Sequence, residues 1–299
     1  MKELVILSGK GGTGKTSLTA AFASLAGNMM LCDADVDAAD LHLIMDPDIQ
    51  ETHDFAGGYE AEIIPDACTG CGQCMELCRF DAVKPVEGAG IFYIDGLACE
   101  GCGVCADLCP ESAIKFEEKV CGQWFASSTR FGEMIHARLG IAEDNSGRLV
   151  ALVRDEARKR VLANHIDILL TDGPPGIGCP VIASIGHANA VLIVTEPTVS
   201  GIHDMERVAQ LAAHFKMPAM VCINKYDLNP DQARAIEVIA EKRNMEFVGK
   251  LPFDPAFTTA MVQGKSIMET HGDSPAATQI KEIWNRIMAH PAMKMDRLC

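Results

Sequence analysis

Short apolar runs recur along the chain, separated by longer stretches of mixed polarity. Leu4-Val5-Ile6-Leu7, Met29-Met30-Leu31-Cys32, Ile166 to Leu170, Ala190 to Val194 and Ala219 to Ile223 each read as a buried strand. Ser17 to Ala26, rich in Ala and Leu, reads as the helix after the first of them. Strand-like and helix-like segments in alternation predict an α/β fold, a doubly wound and mostly parallel sheet. Each run gives way to a short polar or Gly/Pro segment: "DADVD" at 33–37, "TDGPPGIG" at 171–178, "TEPT" at 195–198 and "NKYD" at 224–227. Ligands of such sheets bind beyond the carboxyl ends of the strands, so these segments should line one crevice. Later in the chain, Ile280, Ile283, Trp284, Ile287 and Met288 form an apolar stripe opposite Lys281, Glu282 and Arg286. That polar face is not strongly basic and Pro291 follows soon after, which predicts a packed helix in preference to a membrane-surface one.

Composition narrows the function classes. At 299 residues the chain can bury a full α/β core and still carry a small extra module. No apolar run is long enough to span a membrane and the chain opens on a strand, not a signal peptide, so a cytoplasmic protein with no membrane partner is expected. A net charge of −15 disfavours broad contact with a phosphate backbone, and no nucleic-acid partner is expected. Thirteen cysteines in such a chain argue for metal or redox chemistry over disulfides.

The segment after the first strand, Gly9-Lys10-Gly11-Gly12-Thr13-Gly14-Lys15-Thr16, fits the phosphate-binding pattern G-x-x-x-x-G-K-[ST]. Its glycines let successive N–H groups turn toward one point. Lys15 would reach the terminal phosphates of ATP, the Thr16 hydroxyl would help hold Mg²⁺, and Ser17 opens the helix whose N-terminus completes the cradle. A single lysine serves such a loop; Lys10 is a second. Asp172, after "IDILLT", suits the acid that holds Mg²⁺ from the end of a buried strand. Asp33 and Asp35 alternate at the end of the preceding strand, so one could meet the metal and the other an attacking water; Asp37 is a third candidate. A loop of helix-capping acids would look the same.

Eight cysteines form two matching sets: Cys68, Cys71, Cys74, Cys78 and Cys99, Cys102, Cys105, Cys109. Each follows C-x-x-C-x-x-C-x-x-x-C, the second set lies 31 residues after the first, and the flanks "ACTGCGQCMELCRFDAVK" and "ACEGCGVCADLCPESAIK" repeat too, which marks an internal duplication. The spacing is that of bacterial two-cluster ferredoxins, in which the fourth cysteine of each run ligates the other cluster. By that rule Cys68, Cys71, Cys74 and Cys109 hold one [4Fe–4S] cluster, and Cys99, Cys102, Cys105 and Cys78 the second. Zinc sites more often pair two C-x-x-C units across a longer loop. One position departs from the pattern: Cys109 precedes Pro110, but Cys78 precedes Arg79. The module is expected over 65–117, inserted between 1–64 and 118–299 of the ATPase domain. Cys32, Cys121, Cys222 and Cys299 read as buried small residues or incidental thiols, and His53, His136 and His203 as surface or satisfied core residues.

With these segments placed, the sequence resembles the MinD/ParA/Mrp-type P-loop ATPases, within the larger group that includes the nitrogenase iron protein. The resemblance is carried by "KGGTGKT", "DADVDAADLHLIM", "DGPPGIG", "INK" and "PFD". More narrowly it resembles members with an inserted ferredoxin domain, through "EDNSGRLV" and "DGPPGIGCPVIAS". Cobyrinic acid a,c-diamide synthases share the nucleotide-binding sequence, but no glutamine-amidotransferase signature accompanies it here. The resemblance implies that Lys10 crosses the interface of an ATP-bound homodimer to the partner's phosphates, where a cation stabilises charge on the transferred phosphoryl. It implies that Asp35 positions the attacking water, with Asp33 and Asp172 near Mg²⁺. Asn224 would read the adenine edge, and the loop with Pro252 and Asp254 would close over the base, beside Gly9, Gly11, Gly12, Thr13 and Gly14. The iron protein places a ligand of its intersubunit cluster at the offset of Cys179; with no identifiable second cysteine, Cys179 reads as a small buried residue near the switch. Three functions are then consistent with the sequence: an ATPase whose dimer closure gates electron transfer to or from a redox partner, an Fe–S cluster carrier of Mrp type, or a MinD/ParA-like positioning ATPase.

Overall fold

The computed structural model describes residues 1–140 and 145–294; Cys299 and the opening of "EDNSGRLV" lie outside the described residues. In chain order the regular elements are β1 (Lys2–Ser8), α1 (Lys15–Ala23), β2 (Met29–Asp33), α2 (Leu41–Met45), β3 (Asp48–Ile63), α3 (Gln73–Leu77), β4 (Val83–Pro85), β5 (Phe92–Ile94), α4 (Val104–Asp107), β6 (Ile114–Thr129) and β7 (Gly132–Leu139). They continue with α5 (Ser146–Ala163), β8 (Ile168–Pro175), α6 (Cys179–Ile185), β9 (Ala190–Thr195), α7 (Val199–His214), β10 (Ala219–Asn224), α8 (Pro230–Lys242), β11 (Glu246–Leu251), α9 (Ala256–Val262), α10 (Ile267–Thr270) and α11 (Pro275–Ala289). The chain divides into two compact units, one of Met1–His53, Trp124–Arg138 and the residues from Ser146 onward, the other of Asp54–Gln123 with Leu139–Asn145. The 65–117 stretch lies inside the second.

The large sheet has the order β11-β10-β9-β1-β8-β2-β7-β6-β3. Its six strands from β11 to β2 are parallel throughout, and β7 pairs parallel with β2. Continuous apolar runs form these strands because both faces are covered. Leu4 and Ile6 join a core with Leu31, Leu170 and Leu192 beneath Leu18, Phe22 and Trp284, whereas Val5 and Leu7 join Val191, Ile193, Val221 and Ile223 in a second core under α6, α7 and α8. The stripe on α11 belongs to the first core, with the Trp284 ring centroid 5.2 Å from that of Phe22. Register brings Asp33 level with Asp172 and Ser8 level with Pro175, so the acids and the glycine-rich turn leave the sheet at one edge. Among the described residues no helix is long and apolar enough to cross a membrane.

In the second unit the 31-residue repeat becomes a repeat of conformation. α3 and α4 each start after a left-handed glycine, Gly72 (φ 77°) and Gly103 (φ 76°). Two residues earlier, a Cβ on Gly70 would fall 1.9 Å from Gly90 O, and one on Gly101 2.2 Å from Tyr59 O, so each turn is pressed against backbone that only glycine admits. Asp81 and Ser112 both adopt positive φ, at 53° and 49°. β4 and β5 form an antiparallel pair with Val83 opposite Ile94.

Candidate nucleotide site and cysteine cavities

The turn between β1 and α1 is braced behind and open in front. A Cβ on Gly14 (φ 88°) would come 2.4 Å from Asn224 Nδ2, yet one on Gly11 or Gly12 would meet nothing within 4 Å. α1 begins at Lys15 with no side-chain cap, which leaves its first N–H groups to an anion. The cavity in front measures about 370 Å³, within the range of small-molecule sites. Gly11, Gly12, Thr13, Gly14, Lys15, Thr16, Ser17, Asp35, Asn224, Pro252 and Asp254 all line it. Gly9 does not; a Cβ there would fall 2.3 Å from Asp204 Cβ, so this glycine permits close packing beneath the loop.

Lys15 is buried, 3.0 Å from Asp172 Oδ1 and 3.5 Å from Asp35 Oδ2. Burial disfavours its charge, but Asp172, Asp35 and Asp33 outweigh that and raise its pKa. Asp172 also accepts hydrogen bonds from Thr16 Oγ1 at 2.7 Å and Thr19 Oγ1 at 2.9 Å. The two acids at the end of β2 have separate duties. Asp33 is fully buried and accepts from the Asp35 and Leu41 backbone amides, which fixes the loop into α2. Burial, then Asp172, hold its pKa well above the carboxylate range. Asp35 lines the cavity, and burial lifts its pKa to about 6 against the pull of Lys15. The buried Thr13 hydroxyl has no hydrogen-bond partner among the described residues. An open glycine cradle, an uncapped helix start, a buried cation and a threonine beside an acid fit a nucleotide triphosphate with Mg²⁺: Lys15 and the loop amides suit the phosphates, and Thr16 with Asp172 the metal.

Asn224 faces the cavity, but its amide is committed: Nδ2 donates to Thr13 O at 2.8 Å and Oδ1 accepts from Lys225 N at 3.0 Å. It braces the loop. Sequence reasoning misses Lys225, whose Nζ donates to Gly12 O at 3.3 Å, and also Phe253, Phe257 and Met261, which form the apolar end of the cavity. Phe253 stands inside the quoted "PFD" and is the readable signal; the α9 side chains carry none. Asp227 holds that loop by accepting from Phe253 N at 2.7 Å. Lys10 lies outside the cavity, 3.4 Å from Glu196 Oε2 and from Ser200 Oγ. The expectation of a buried Cys179 is corrected: it is exposed, because it opens α6 straight after the glycine-rich turn. Cys32, Cys121 and Cys222 are buried. His136 is buried against Ser127 Oγ at 2.9 Å, while His53 and His203 are exposed.

In the second unit Cys68, Cys71, Cys74 and Cys109 line one cavity with Phe92, and Cys78, Cys99, Cys102 and Cys105 line another with Phe80. The repeat extends to the sulfurs, since Ala82 N donates to Cys78 Sγ at 3.4 Å and Ala113 N to Cys109 Sγ at 3.3 Å. Burial raises the pKa of Cys74 and Cys105, with neighbouring thiols adding to it. At Cys78 burial acts the same way, but backbone N–H groups from Phe80 to Val83 outweigh it and the pKa falls. Among the described residues no three His, Cys, Asp or Glu side chains converge on a single-ion site.

The chain belongs to the CbiA family, the CobQ/CobB/MinD/ParA nucleotide binding domain, which it matches over residues 4–267. It is a P-loop protein of MinD/ParA type. A Methanocaldococcus jannaschii protein, MJ0578, is 29% identical over 294 residues, covering 95% of this chain and 96% of the relative. The iron-sulfur cluster carrier protein of Pyrococcus furiosus is 25% identical over 154 residues, covering 48% of this chain and 52% of the carrier. Among solved structures, MinD in the MinC:MinD cell division complex of Aquifex aeolicus gives a TM-score of 0.58 at 19% identity over 99% of both chains. The septum site-determining protein MinD of Pyrococcus horikoshii, complexed with Mg-ADP, gives 0.58 at 16% identity, covering 98% of this chain and 99% of that one. These structural likenesses establish the fold.

Proposed function

We propose that this chain is an ATP-hydrolysing iron–sulfur protein in which nucleotide-dependent pairing of two copies gates electron transfer through two [4Fe–4S] clusters to or from a redox partner protein. The observation that carries this reading is the partition of the eight thiols: each cavity takes three cysteines of one run and the last cysteine of the other. Zinc sites more often pair two C-x-x-C units across a longer loop than use runs of three closely spaced cysteines. Bound in these cavities, the clusters would supply one-electron chemistry. The protein's own contribution is to hold them in cysteine sulfur and backbone N–H groups, with Phe92 and Phe80 lining the cavities.

In the nucleotide unit Lys15 and the loop amides bind the phosphates, and Asp35, a carboxylate above about pH 6, orients the attacking water and takes its proton. Asp33 links the Asp35 backbone to the start of α2 through its two backbone bonds. Lys10 from the second copy neutralises charge on the transferred phosphoryl. An anaerobic EPR redox titration with and without Mg-ATP tests the whole. A midpoint shift of about 60 mV for a one-electron couple corresponds to tenfold linkage; potentials indifferent to ATP would remove the gate. A second reading, a cluster carrier, is favoured by the Pyrococcus furiosus relative. It predicts that iron leaves to an apo-acceptor within the time of a mixing experiment, whereas resident clusters stay.

A further inference from the structure

One carboxylate next to the nucleotide site serves two lysines. Glu196, from the "TEPT" segment after β9, accepts from Lys225 Nζ at 2.5 Å through Oε1 and pairs with Lys10 Nζ at 3.4 Å through Oε2. Its side chain is only 13% exposed, and Ser200 Oγ, in the first turn of α7, gives Lys10 a second contact at 3.4 Å. Lys225 in turn donates to Gly12 O, so one acid ties the second position of the phosphate-binding loop to the carbonyl two residues on. Without that carboxylate two ammonium groups would face each other across a glycine-rich turn.

We propose that Glu196 is a positioning residue that parks Lys10 within its own subunit, so that pairing of two copies on ATP must exchange the Glu196 carboxylate for the partner's phosphates. The inference rests on the dimer reading above and adds an element internal to each copy: a built-in threshold for pairing. The exchange is favoured more by a triphosphate than by a diphosphate, since it sets more negative charge opposite Lys10. Lys225 remains on Glu196 and Gly12 during the exchange, so the loop keeps its shape as Lys10 departs. A partly exposed ion pair is worth a factor of up to about 5 in equilibrium, and a symmetric dimer releases two, giving about 25-fold.

The test is sedimentation of the full chain with Mg²⁺ and a non-hydrolysable ATP analogue, across protein concentration. Glu196→Gln should tighten the dimer, by up to about 25-fold, and Ser200→Ala by less. Lys10→Ala should weaken it, and adding Glu196→Gln to Lys10→Ala should then gain nothing. Equal or weaker pairing by Glu196→Gln, in a wild-type protein that does pair, overturns the inference and leaves the dimer reading standing. The same gain from Glu196→Gln with Lys10 present and in the Lys10→Ala variant also overturns it, by assigning Glu196 a role through Lys225 and the loop alone. A wild-type chain that stays monomeric with the analogue removes the dimer reading itself, and this inference with it.

Discussion

The nucleotide-binding unit encloses its sheet between two apolar layers, with Phe22, Leu31 and Trp284 on one side and Val191, Val221 and Ile236 on the other. Between Asp54 and Gln123 the buried apolar side chains are Phe55, Ala61, Ile63, Ala82, Val83, Ala113 and Cys121, and none joins either layer. The first unit buries many large side chains; the second buries mostly small ones and has less to set against its chain entropy. Glycine is used differently as well. In the nucleotide loop Gly11 and Gly12 keep space clear for a ligand, whereas Gly70 and Gly101 let backbone touch backbone.

Removing iron should separate the two units most sharply. Under chelator and oxidant, hydrogen exchange and limited proteolysis should reach Asp54–Gln123 while nucleotide affinity persists, the outcome expected where the proposed clusters supply folding energy to that unit alone. Loss of protection in both units at once would show that the contrast is overdrawn. Lys15→Ala should act on the other side, lowering ATP turnover at least about a hundredfold with iron content unchanged. Next, Cys109→Ser should disturb the same cluster as Cys68→Ser, and Cys78→Ser the same one as Cys99→Ser, each halving bound iron from about eight atoms to about four. Should the spectra pair Cys78 with Cys68, the assignment by cavity is wrong.

The smallest effect lies in pH. His136 on β7 is pushed from 6.5 to about 4, by burial first and then by His42. Its folded pKa is depressed, so the unfolded chain takes up a proton the folded one refuses. Stability is therefore full above pH 6.5 and drains as pH falls toward 4, by about 2 kcal/mol at pH 5 and about 3 at the lower limit. Denaturant titrations should show that slope for the nucleotide unit, and His136→Gln should flatten it without altering the cysteine-rich unit.

What the sequence discloses follows from range. The phosphate loop and the cysteine runs are local patterns whose chemistry depends on spacing, and both are readable at sight. The parallel strands are readable because two covered faces leave unbroken apolar runs; their ends extend beyond those runs, as in β8, which continues through Asp172 to Pro175. β3 and β6 are not readable. β3 is the last strand of the sheet, and its "DIQETHDFAGGYEAEI" is mostly exposed and carries acids along its length, so no apolar run betrays it. Lys225, Glu196, Phe257 and Met261 escape for another reason: each matters through a partner far away in the chain.

The crossing of the last cysteines bears on how the protein is made. The cavity of Cys68, Cys71 and Cys74 is closed by Cys109, and that of Cys99, Cys102 and Cys105 by Cys78, which has by then already been synthesised. Neither cavity is complete while the ribosome is still working through the first repeat. The second has all four of its cysteines once residue 105 emerges and the first only at residue 109, so the two become complete in the reverse of their order along the chain.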